Sequence, residues 1–247
     1  MVGFLTYMYV NAKRRNVMFH EMTVNDTRGG EGELSVFFIS DIHRREIDEK
    51  LLVQLREAGK FDLVILGGDL AERGVPPRRI DENVKRLSEL GPLFFVWGNN
   101  DREVGEPLMR DILARHGCVI LENRAAPVPG HPDWMICGTD DPSSRKVDID
   151  STLRYIDRGK YSILVTHTPS VFRKVERQYQ PCLLLAGHTH GGQIRLGKLG
   201  IQDKGKFWIE GGRAKLISNG YGTSTVPFRL GADPECHVIK IKYGDLQ

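Results

Sequence analysis

The stretch "AGHTHGGQ" at 186–193 places two histidines two residues apart, after an apolar run and before a pair of glycines. His188 and His190 therefore stand on a turn, a setting in which imidazole nitrogens commonly bind metal ions. Four other apolar runs are also followed by residues that can ligate a metal. The full set of candidate ligands is Asp41, His43, Asp69, Asn99, His167, His188 and His190.

The chemistry of this donor set narrows the choice of metal. Carboxylate and amide oxygens and imidazole nitrogens suit Mn, Fe or Zn, and no thiolate in the set favours softer metals. Seven donors exceed the four that one tetrahedral ion takes, which indicates two divalent ions that share a carboxylate. Two ions about 3.5–4 Å apart can clamp the attacking and leaving oxygens of an in-line displacement at phosphorus. The sequence therefore predicts a binuclear phosphoesterase.

Alternating strands and helices must position these ligands. Val, Ile, Leu and Phe dominate five short runs that are typical of strands buried on both faces, at 34–40, 61–68, 92–98, 161–166 and 182–187. Helical patterns fall between them, at 46–58, 77–90, 106–117 and 169–179. This alternation predicts an α/β fold with a largely parallel sheet. Ligands that follow such strands converge at the carboxyl ends.

The regions outside the α/β pattern complete the predicted organisation. Residues 127–141 indicate a turn that leads into a short strand, and residues 206–242 indicate antiparallel strands. No internal repeat or linker is visible. We expect one domain over 34–247 that carries all the candidate ligands, preceded by an N-terminal segment over 1–33 that holds a helix and a strand.

The N-terminal "MVGFLTYMYVNAKRR" begins apolar and then turns basic, which is the reverse of a secretory signal. Its apolar part is too short to span a bilayer. Two interpretations remain, a packed first helix, which we favour, and a weak membrane contact in which Lys13, Arg14 and Arg15 face lipid. The predicted location is accordingly cytoplasmic, either free or peripheral at the inner face of the membrane.

Composition limits the partners. The 247 residues include 35 basic and 32 acidic side chains, for a net charge of +3, and this near balance indicates no clear nucleic-acid groove. We expect a small-molecule phosphoester substrate and no obligate protein partner. The four cysteines form no C-x-x-C pair, so we expect buried thiols in a reducing compartment rather than a disulfide or zinc site.

The ordered blocks "SDIH", "GGD", "GNND", "VTHTP" and "GHTH" resemble those of the calcineurin-like metallophosphoesterase superfamily, over roughly 34–242. The resemblance implies a layered α/β/β/α sandwich of two mixed sheets, with the metal site at the carboxyl ends of the strands. It also implies in-line attack of a metal-bound hydroxide on a phosphoester. One ion would take Asp41, His43, Asp69 and His190. The other would take Asp69, Asn99, His167 and His188, so that Asp69 bridges the two ions.

One position departs from the family pattern. Asn100 stands where the family usually has a histidine that can donate a proton to the leaving group, and an amide cannot transfer that proton. We therefore expect hydrolysis of phosphodiesters or pyrophosphate bonds rather than simple alkyl monoesters. Asp101, which in the family orients the histidine, is the second candidate catalytic residue. Arg44 and Arg102 adjoin ligand motifs and are candidate phosphate-binding residues, with Arg229 as a further option.

Two alternatives stay open. The stretches "GGQIRLGKLG" and "ISNGYGTSTVPFRL" resemble a bacterial sub-group of small phosphodiesterase-like members, some of which remove the nucleotide from UDP-diacylglucosamine in lipid A synthesis. A UDP-sugar-lipid pyrophosphatase of that type is the first alternative. The second is a catalytically weak metal-binding scaffold, which Asn100 would favour. A nuclease is less well supported, since no basic, aromatic-lined groove for a single strand is evident.

Overall fold

Two mixed β-sheets of six strands each form the centre of the protein in the computed structural model, which describes residues 2–25, 30–154 and 161–245. The strands are β1 Asn16–Asn25, β2 Gly32–Ile39, β3 Leu63–Leu66, β4 Leu93–Phe95, β5 Val119–Ile120, β6 Arg124–Val128, β7 His131–Gly138, β8 Tyr161–Val165, β9 Leu183–Ala186, β10 Lys206–Glu210, β11 Arg213–Ile217 and β12 Glu235–Gly244. The α-helices are α1 Val2–Asn11, α2 Glu49–Glu57, α3 Pro77–Ser88, α4 Asp101–Arg115, α5 Ile149–Leu153 and α6 Phe172–Val175.

Parallel strands dominate the middle of both sheets. The first sheet has the order β1-β12-β2-β3-β4-β5, in which β2 to β5 run parallel and β12 runs antiparallel to β2. The second has the order β10-β11-β9-β8-β7-β6, with β11, β9, β8 and β7 parallel and an antiparallel strand at each edge. Both sheets are therefore mixed, as the sequence predicts.

Apolar side chains cover both faces of each sheet, which explains the continuous hydrophobic runs. Phe38 and Ile65 of the first sheet share a buried cluster with Ile163 and Leu185 of the second. The outer face of the first sheet packs on α2, α3 and α4, and Leu164 and its neighbours on the second sheet pack on α5 and α6. These contacts give four layers and confirm the predicted α/β/β/α sandwich.

The helices agree with the sequence patterns in their middle and differ at their ends. The patterns at 46–58 and 77–90 form α2 and α3, and Asp48 caps α2 by accepting a hydrogen bond from Leu51 N. The pattern at 106–117 forms most of α4, but α4 begins at Asp101, and Gly105 interrupts it with φ 113°. The pattern at 169–179 gives a 3₁₀ turn followed by the single turn of α6.

The prediction of antiparallel strands over 206–242 is wrong in part. β10 and β11 form an antiparallel hairpin, but β11 runs parallel to β9, and β12 runs parallel to β1. Strand direction here depends on partners distant in sequence, which local alternation does not reveal. The turn and strand expected at 127–141 are present as the hairpin of β6 and β7.

The N-terminal segment contains a helix and a strand. β1 joins the edge of the first sheet through its ten-residue register with β12. α1 is anchored by buried Met8 and Asn11, whereas most of its other side chains are exposed. No helix among residues 2–25, 30–154 and 161–245 combines the length and apolar character needed to cross a bilayer. Three of the four cysteines are buried and Cys118 is half-buried.

Candidate metal centre

The carboxyl ends of strands from both sheets meet at one place and bring the candidate ligands together. Asp41, Asp69 and Asn99 follow β2, β3 and β4, while His167 and His188 follow β8 and β9. The two sheets touch here, because the backbone N–H of His188 donates to both carboxylate oxygens of Asp41 at 3.1 Å.

A glycine permits this close approach. A Cβ at Gly187 would lie 2.4 Å from Asp41 Oδ2 and 2.4 Å from Ser40 Oγ, distances that no side chain tolerates. Glycine is therefore required at the end of β9 if the two sheets are to present ligands to a common centre.

One donor cluster consists of Asp41, His43 and His190, whose ligand atoms all lie within 4.8 Å of one another. The Nε2 atoms of the two imidazoles are 3.1 Å apart, and His190 Nε2 lies 3.3 Å from Asp41 Oδ1. All three side chains are buried. Two ring nitrogens and a carboxylate oxygen that point at one position form a suitable first half of a metal site.

A second cluster consists of Asp41, Asp69 and His167, again within 4.8 Å. His188 Nδ1 lies 3.2 Å from His167 Nε2 and so reaches the same position. Asp69 Oδ2 is 3.3 Å from His167 Nε2 and 3.7 Å from His43 Nε2. A single oxygen of Asp69 therefore lies between the histidines of the two clusters, where a bridging ligand would be placed.

The side chain of Asn99 tests whether divalent ions fit this centre. Within the described part of the chain, Asn99 Oδ1 is buried and has no hydrogen-bond partner. An unsatisfied buried oxygen costs about 1–3 kcal/mol, and a divalent cation would satisfy it. The donor chemistry of the clusters and this unpaired amide oxygen agree with the same kind of ion.

The backbone at the centre is strained. Left-handed φ values are uncommon outside glycine, and such strain concentrates at functional sites. Five candidate ligands have φ values between 49° and 71°, namely Asp41, His43, Asp69, His188 and His190. Their conformation is imposed by the surrounding structure rather than by local preference.

The electrostatic field of the centre favours a cation. Burial alone would lower the pKa of His167, but the charges of Asp69 and Asp41 outweigh burial and raise that pKa to about 10. Burial likewise opposes ionisation of Asp69, yet the His167 and His43 charges hold the pKa of this carboxyl below its ordinary range. Two ionised carboxylates at the same place attract divalent ions, and metal binding would displace protons from the histidines.

Asn100 and Asp101 both hold the loop that carries Asp69. Asn100 donates to Asp69 Oδ2 from its side chain at 2.7 Å and to Oδ1 from its backbone at 2.8 Å. Asp101 is fully buried and accepts N–H bonds from Asp69, Ala71 and Gly98. Burial and the Asp69 charge raise the pKa of Asp101 to about 7, against those three donors. A direct catalytic role for either residue stays a prediction.

The two predicted phosphate-binding arginines have different surroundings. Arg102 donates to both carboxylate oxygens of Asp140, at 2.9 and 3.1 Å, and lies over the ring of Trp97. Its guanidinium therefore faces a carboxylate rather than the ligand clusters. Arg44 is 72% exposed in its side chain and pairs with Glu72 beside His43. The substrate-binding roles of both arginines stay predictions.

Arg229 has a structural environment that the sequence does not reveal. It is fully buried and donates to the backbone carbonyls of Asn219, Gly220 and Gly222, which it holds beside the centre. Its Nη2 also lies 3.2 Å from His190 Nδ1. These contacts use the guanidinium to fix the loop at 219–222.

Sequence reasoning missed Glu72. Its Oε2 lies 3.0 Å from His43 Nδ1, on the side of the ring away from the donor cluster. A carboxylate in this position fixes the imidazole so that Nε2 faces the metal. The only sequence signal is an acidic residue three positions after Asp69, and such a spacing is too common to single it out.

Comparisons with known proteins agree with this geometry. A model of the calcineurin-like phosphoesterase family matches residues 34–192. The chain is 43% identical over 237 residues to the uncharacterized protein YpbG of Bacillus subtilis strain 168. The aligned region covers 95% of this chain and 90% of that protein. It is 27% identical over 232 residues to phosphodiesterase YaeI of Escherichia coli K12, with 83% and 81% covered.

A solved structure extends the likeness at the level of the fold. Haemophilus influenzae NAD nucleotidase superposes with a TM-score of 0.55 at 15% identity, over 87% of this chain and 48% of that one. The family model spans well over half of the chain, and it contains all seven candidate ligands. The chain therefore belongs to the calcineurin-like phosphoesterase family.

Proposed function

We propose that the protein is a binuclear metal-dependent phosphoesterase that hydrolyses phosphodiester or pyrophosphate bonds in a small-molecule substrate. The observation that carries the proposal is the pair of donor clusters, which share Asp41 and have Asp69 Oδ2 between their histidines. Mn, Fe or Zn ions bound there would polarise phosphoryl oxygens and lower the pKa of a coordinated water.

The residues of the chain have distinct tasks in this proposal. Asn100 and Asp101 hold Asp69 in the position from which it reaches both clusters. Glu72 Oε2 lies 3.0 Å from His43 Nδ1, where its charge would favour the tautomer that keeps the proton on Nδ1 and leaves Nε2 as the ligand atom. Because the carboxylates are buried and fixed before substrate arrives, little reorganisation is needed when charge develops on the phosphoryl group.

Asn100 restricts the leaving group. Its amide hydrogen-bonds to Asp69 and has no proton to transfer at ordinary pH. Hydrolysis should therefore favour leaving groups that are stable as anions, such as aryl esters and phosphates. The name of the relative YaeI, a phosphodiesterase, supports the same substrate class.

Metal reconstitution tests the proposal directly. The protein is stripped with a chelator and reloaded with Mn²⁺, Fe²⁺ or Zn²⁺, while bound ions and hydrolysis of bis-p-nitrophenyl phosphate, an alkyl phosphate monoester and a UDP-sugar–lipid conjugate are measured. We expect two ions per chain and faster turnover of the diester or the pyrophosphate than of the monoester. His188→Ala should abolish turnover, whereas His116→Ala, which replaces a histidine outside the clusters, should not.

Each other outcome selects a different function. Two bound ions without turnover of any ester would indicate a metal-binding scaffold. Strong preference for a nucleotide–lipid conjugate over bis-p-nitrophenyl phosphate would favour the pyrophosphatase alternative. Absence of metal binding would contradict the proposal, and so would fast hydrolysis of alkyl monoesters, for which a proton donor is needed.

A further inference from the structure

The helix α1 exposes apolar side chains around most of its circumference. Helices that are apolar on all sides are ordinarily buried in a protein core or in lipid. Only Met8 and Asn11 of α1 are buried against the rest of the described protein. The exposed side chains are Val2 at 81%, Phe4 at 54%, Leu5 at 45%, Tyr7 at 51%, Tyr9 at 45% and Val10 at 58%.

A second exposed apolar segment follows the last candidate ligand. The stretch "IRLGKLGI" at 194–201 leaves four large aliphatic side chains in solvent, although it is far from α1 in sequence. The four are Ile194 at 40%, Leu196 at 70%, Leu199 at 77% and Ile201 at 88%. Scattered exposed apolar residues are normal, but two dense groups require an explanation.

Hydrogen bonds from backbone and side-chain groups join the two segments through residues 224–230. Arg229 N donates to Met8 O at 3.1 Å, which attaches that stretch to α1. Leu230 N donates to Gln193 O at 3.0 Å, and Gln193 Nε2 donates to Val226 O at 2.9 Å, which attaches it to the second segment. α1 and residues 194–201 therefore flank one short connecting stretch, and we name the combined surface the apolar face.

The charges and aromatic rings of the apolar face match a membrane surface. Exposed Lys13 follows α1 and exposed Lys198 lies within residues 194–201, and Lys13 Nζ is 5.4 Å from the ring centre of Tyr9. Aliphatic residues with neighbouring tyrosines and lysines suit the boundary between acyl chains and anionic head groups. Two copies of this chain packed through the same face would instead bring like charges together.

We propose that the apolar face binds the surface of an anionic lipid bilayer through α1 and residues 194–201 together. One short segment alone gives weak membrane attachment, and two segments on a rigid support add their contributions. This inference goes beyond the proposed hydrolysis and does not depend on it, because lipid binding needs neither metal nor substrate.

The apolar face adjoins the metal centre. A cavity of about 340 Å³ is lined by Tyr9, Lys13, Thr225, Val226 and Glu72, and Glu72 Oε2 lies 3.0 Å from His43 Nδ1. A larger cavity of about 840 Å³ is lined by parts of β1 and α2 and includes none of the candidate ligands. Bilayer attachment would therefore place the smaller cavity and the metal centre next to the lipid surface.

Vesicle flotation tests the proposal with the full chain. We expect binding to phosphatidylcholine vesicles that contain phosphatidylglycerol, and much weaker binding to phosphatidylcholine alone or at high salt. Phe4→Ser and Leu199→Ser should each weaken binding roughly tenfold, the scale expected for one large apolar side chain. Val10→Ser should weaken binding, whereas Val53→Ser, at a 45% exposed position on α2, should not.

The competing outcomes are distinct. Failure to bind either kind of vesicle would overturn the proposal, and so would binding that is equal for neutral and anionic lipid. Loss of binding in Phe4→Ser but not in Leu199→Ser would show that residues 194–201 do not contact lipid. That result would overturn the proposal that two segments bind together. Sedimentation velocity that shows a dimer dissociated by the same substitutions would assign the face to a second copy. Circular dichroism and bound-metal content check that each variant is folded.

Discussion

The same strands build two regions of opposite character, an apolar layer at their middle and the metal centre at their carboxyl ends. In the layer, Ile65, Phe94, Ile163 and Leu185 are at most 2% exposed and lie in regular strands of the two facing sheets. Just beyond the carboxyl ends of these strands, the buried groups are carboxylates and imidazoles. Five of the candidate ligands there have a left-handed backbone conformation.

This difference separates stability from function. Apolar burial in the layer favours folding, by about 25 cal/mol for each Å² removed from water. The centre opposes folding, because its left-handed residues cost about 1–3 kcal/mol each. The centre therefore keeps its shape because the layer beneath it is rigid. Substitutions in the two regions should change different measurable properties.

The largest effect is expected for Asp69→Asn in the centre. The amide has nearly the same shape but lacks the charge that attracts both ions, so turnover should fall on the order of 10³-fold. The melting temperature of the metal-free protein should fall only modestly, because loss of the charge pairing with His167 is offset in part by removal of the repulsion from Asp41 and Asp101. Activity assays and thermal melts measure the two effects.

Asp111→Asn, at a 67% exposed position on α4, is the matched control and should change neither property. A large drop in the melting temperature of metal-free Asp69→Asn would contradict the separation of the two regions.

The converse effect is expected for Ile163→Ala in the layer. Ile163 is fully buried on β8, four residues before the ligand His167. Removal of its side chain should lower the free energy of unfolding by about 2–5 kcal/mol, through lost burial and the cavity that remains. Urea titration measures this change, and Ile209→Ala, at an exposed position on β10, should cost less than about 0.5 kcal/mol.

At a temperature where Ile163→Ala is still folded, its turnover with saturating metal should equal that of the wild type within about twofold. A tenfold loss under those conditions would show that the layer and the centre are coupled more tightly than the contacts indicate.

The contrast between the regions also explains what the sequence could predict. The layer is visible as continuous apolar runs, since both faces of each strand are covered. The seven ligands follow those runs directly, so that their meeting place could be inferred from strand order alone. Glu72 and Arg229 could not be identified, because their contacts depend on how irregular loops fold back. The direction of β11 and β12 also depends on distant partners.

A smaller effect on the centre is expected for Glu72→Gln. Loss of the carboxylate charge beside His43 Nδ1 should weaken metal affinity by about 10–100-fold, the usual range for such supporting carboxylates, because a neutral amide is a weaker acceptor. Turnover should return close to the wild-type value at saturating metal, because the ligands themselves remain. Glu46→Gln, which replaces a 64% exposed carboxylate, is the control. Isothermal titration measures the affinity for metal. Unchanged affinity in Glu72→Gln would show that Glu72 does not position the His43 imidazole.

The smallest effect concerns a histidine of the first sheet. His237 is buried on β12, with Nδ1 3.0 Å from His20 Nε2 and Nε2 2.9 Å from Ser218 Oγ. Burial and the neighbouring His20 both lower its pKa well below the ordinary value. In the centre, by contrast, carboxylate charges outweigh burial and raise the pKa of His167. Two carboxylate charges thus outweigh burial at His167, whereas the single carboxylate near His237, Glu235 Oε1 at 3.6 Å from Nε2, does not.

A lowered pKa makes His237 sensitive to acid. The folded protein keeps the ring neutral, whereas the unfolded chain binds a proton near pH 6.5, so the unfolded state gains protons as the pH falls. The stabilisation is therefore complete above that pH and declines below it, by up to about 1.4 kcal/mol per pH unit. Urea titrations of metal-free protein between about pH 7 and pH 5.5 should show a shallower decline in His237→Gln than in the wild type. Parallel declines in the two proteins would mean that this buried histidine does not set the acid sensitivity of the metal-free protein.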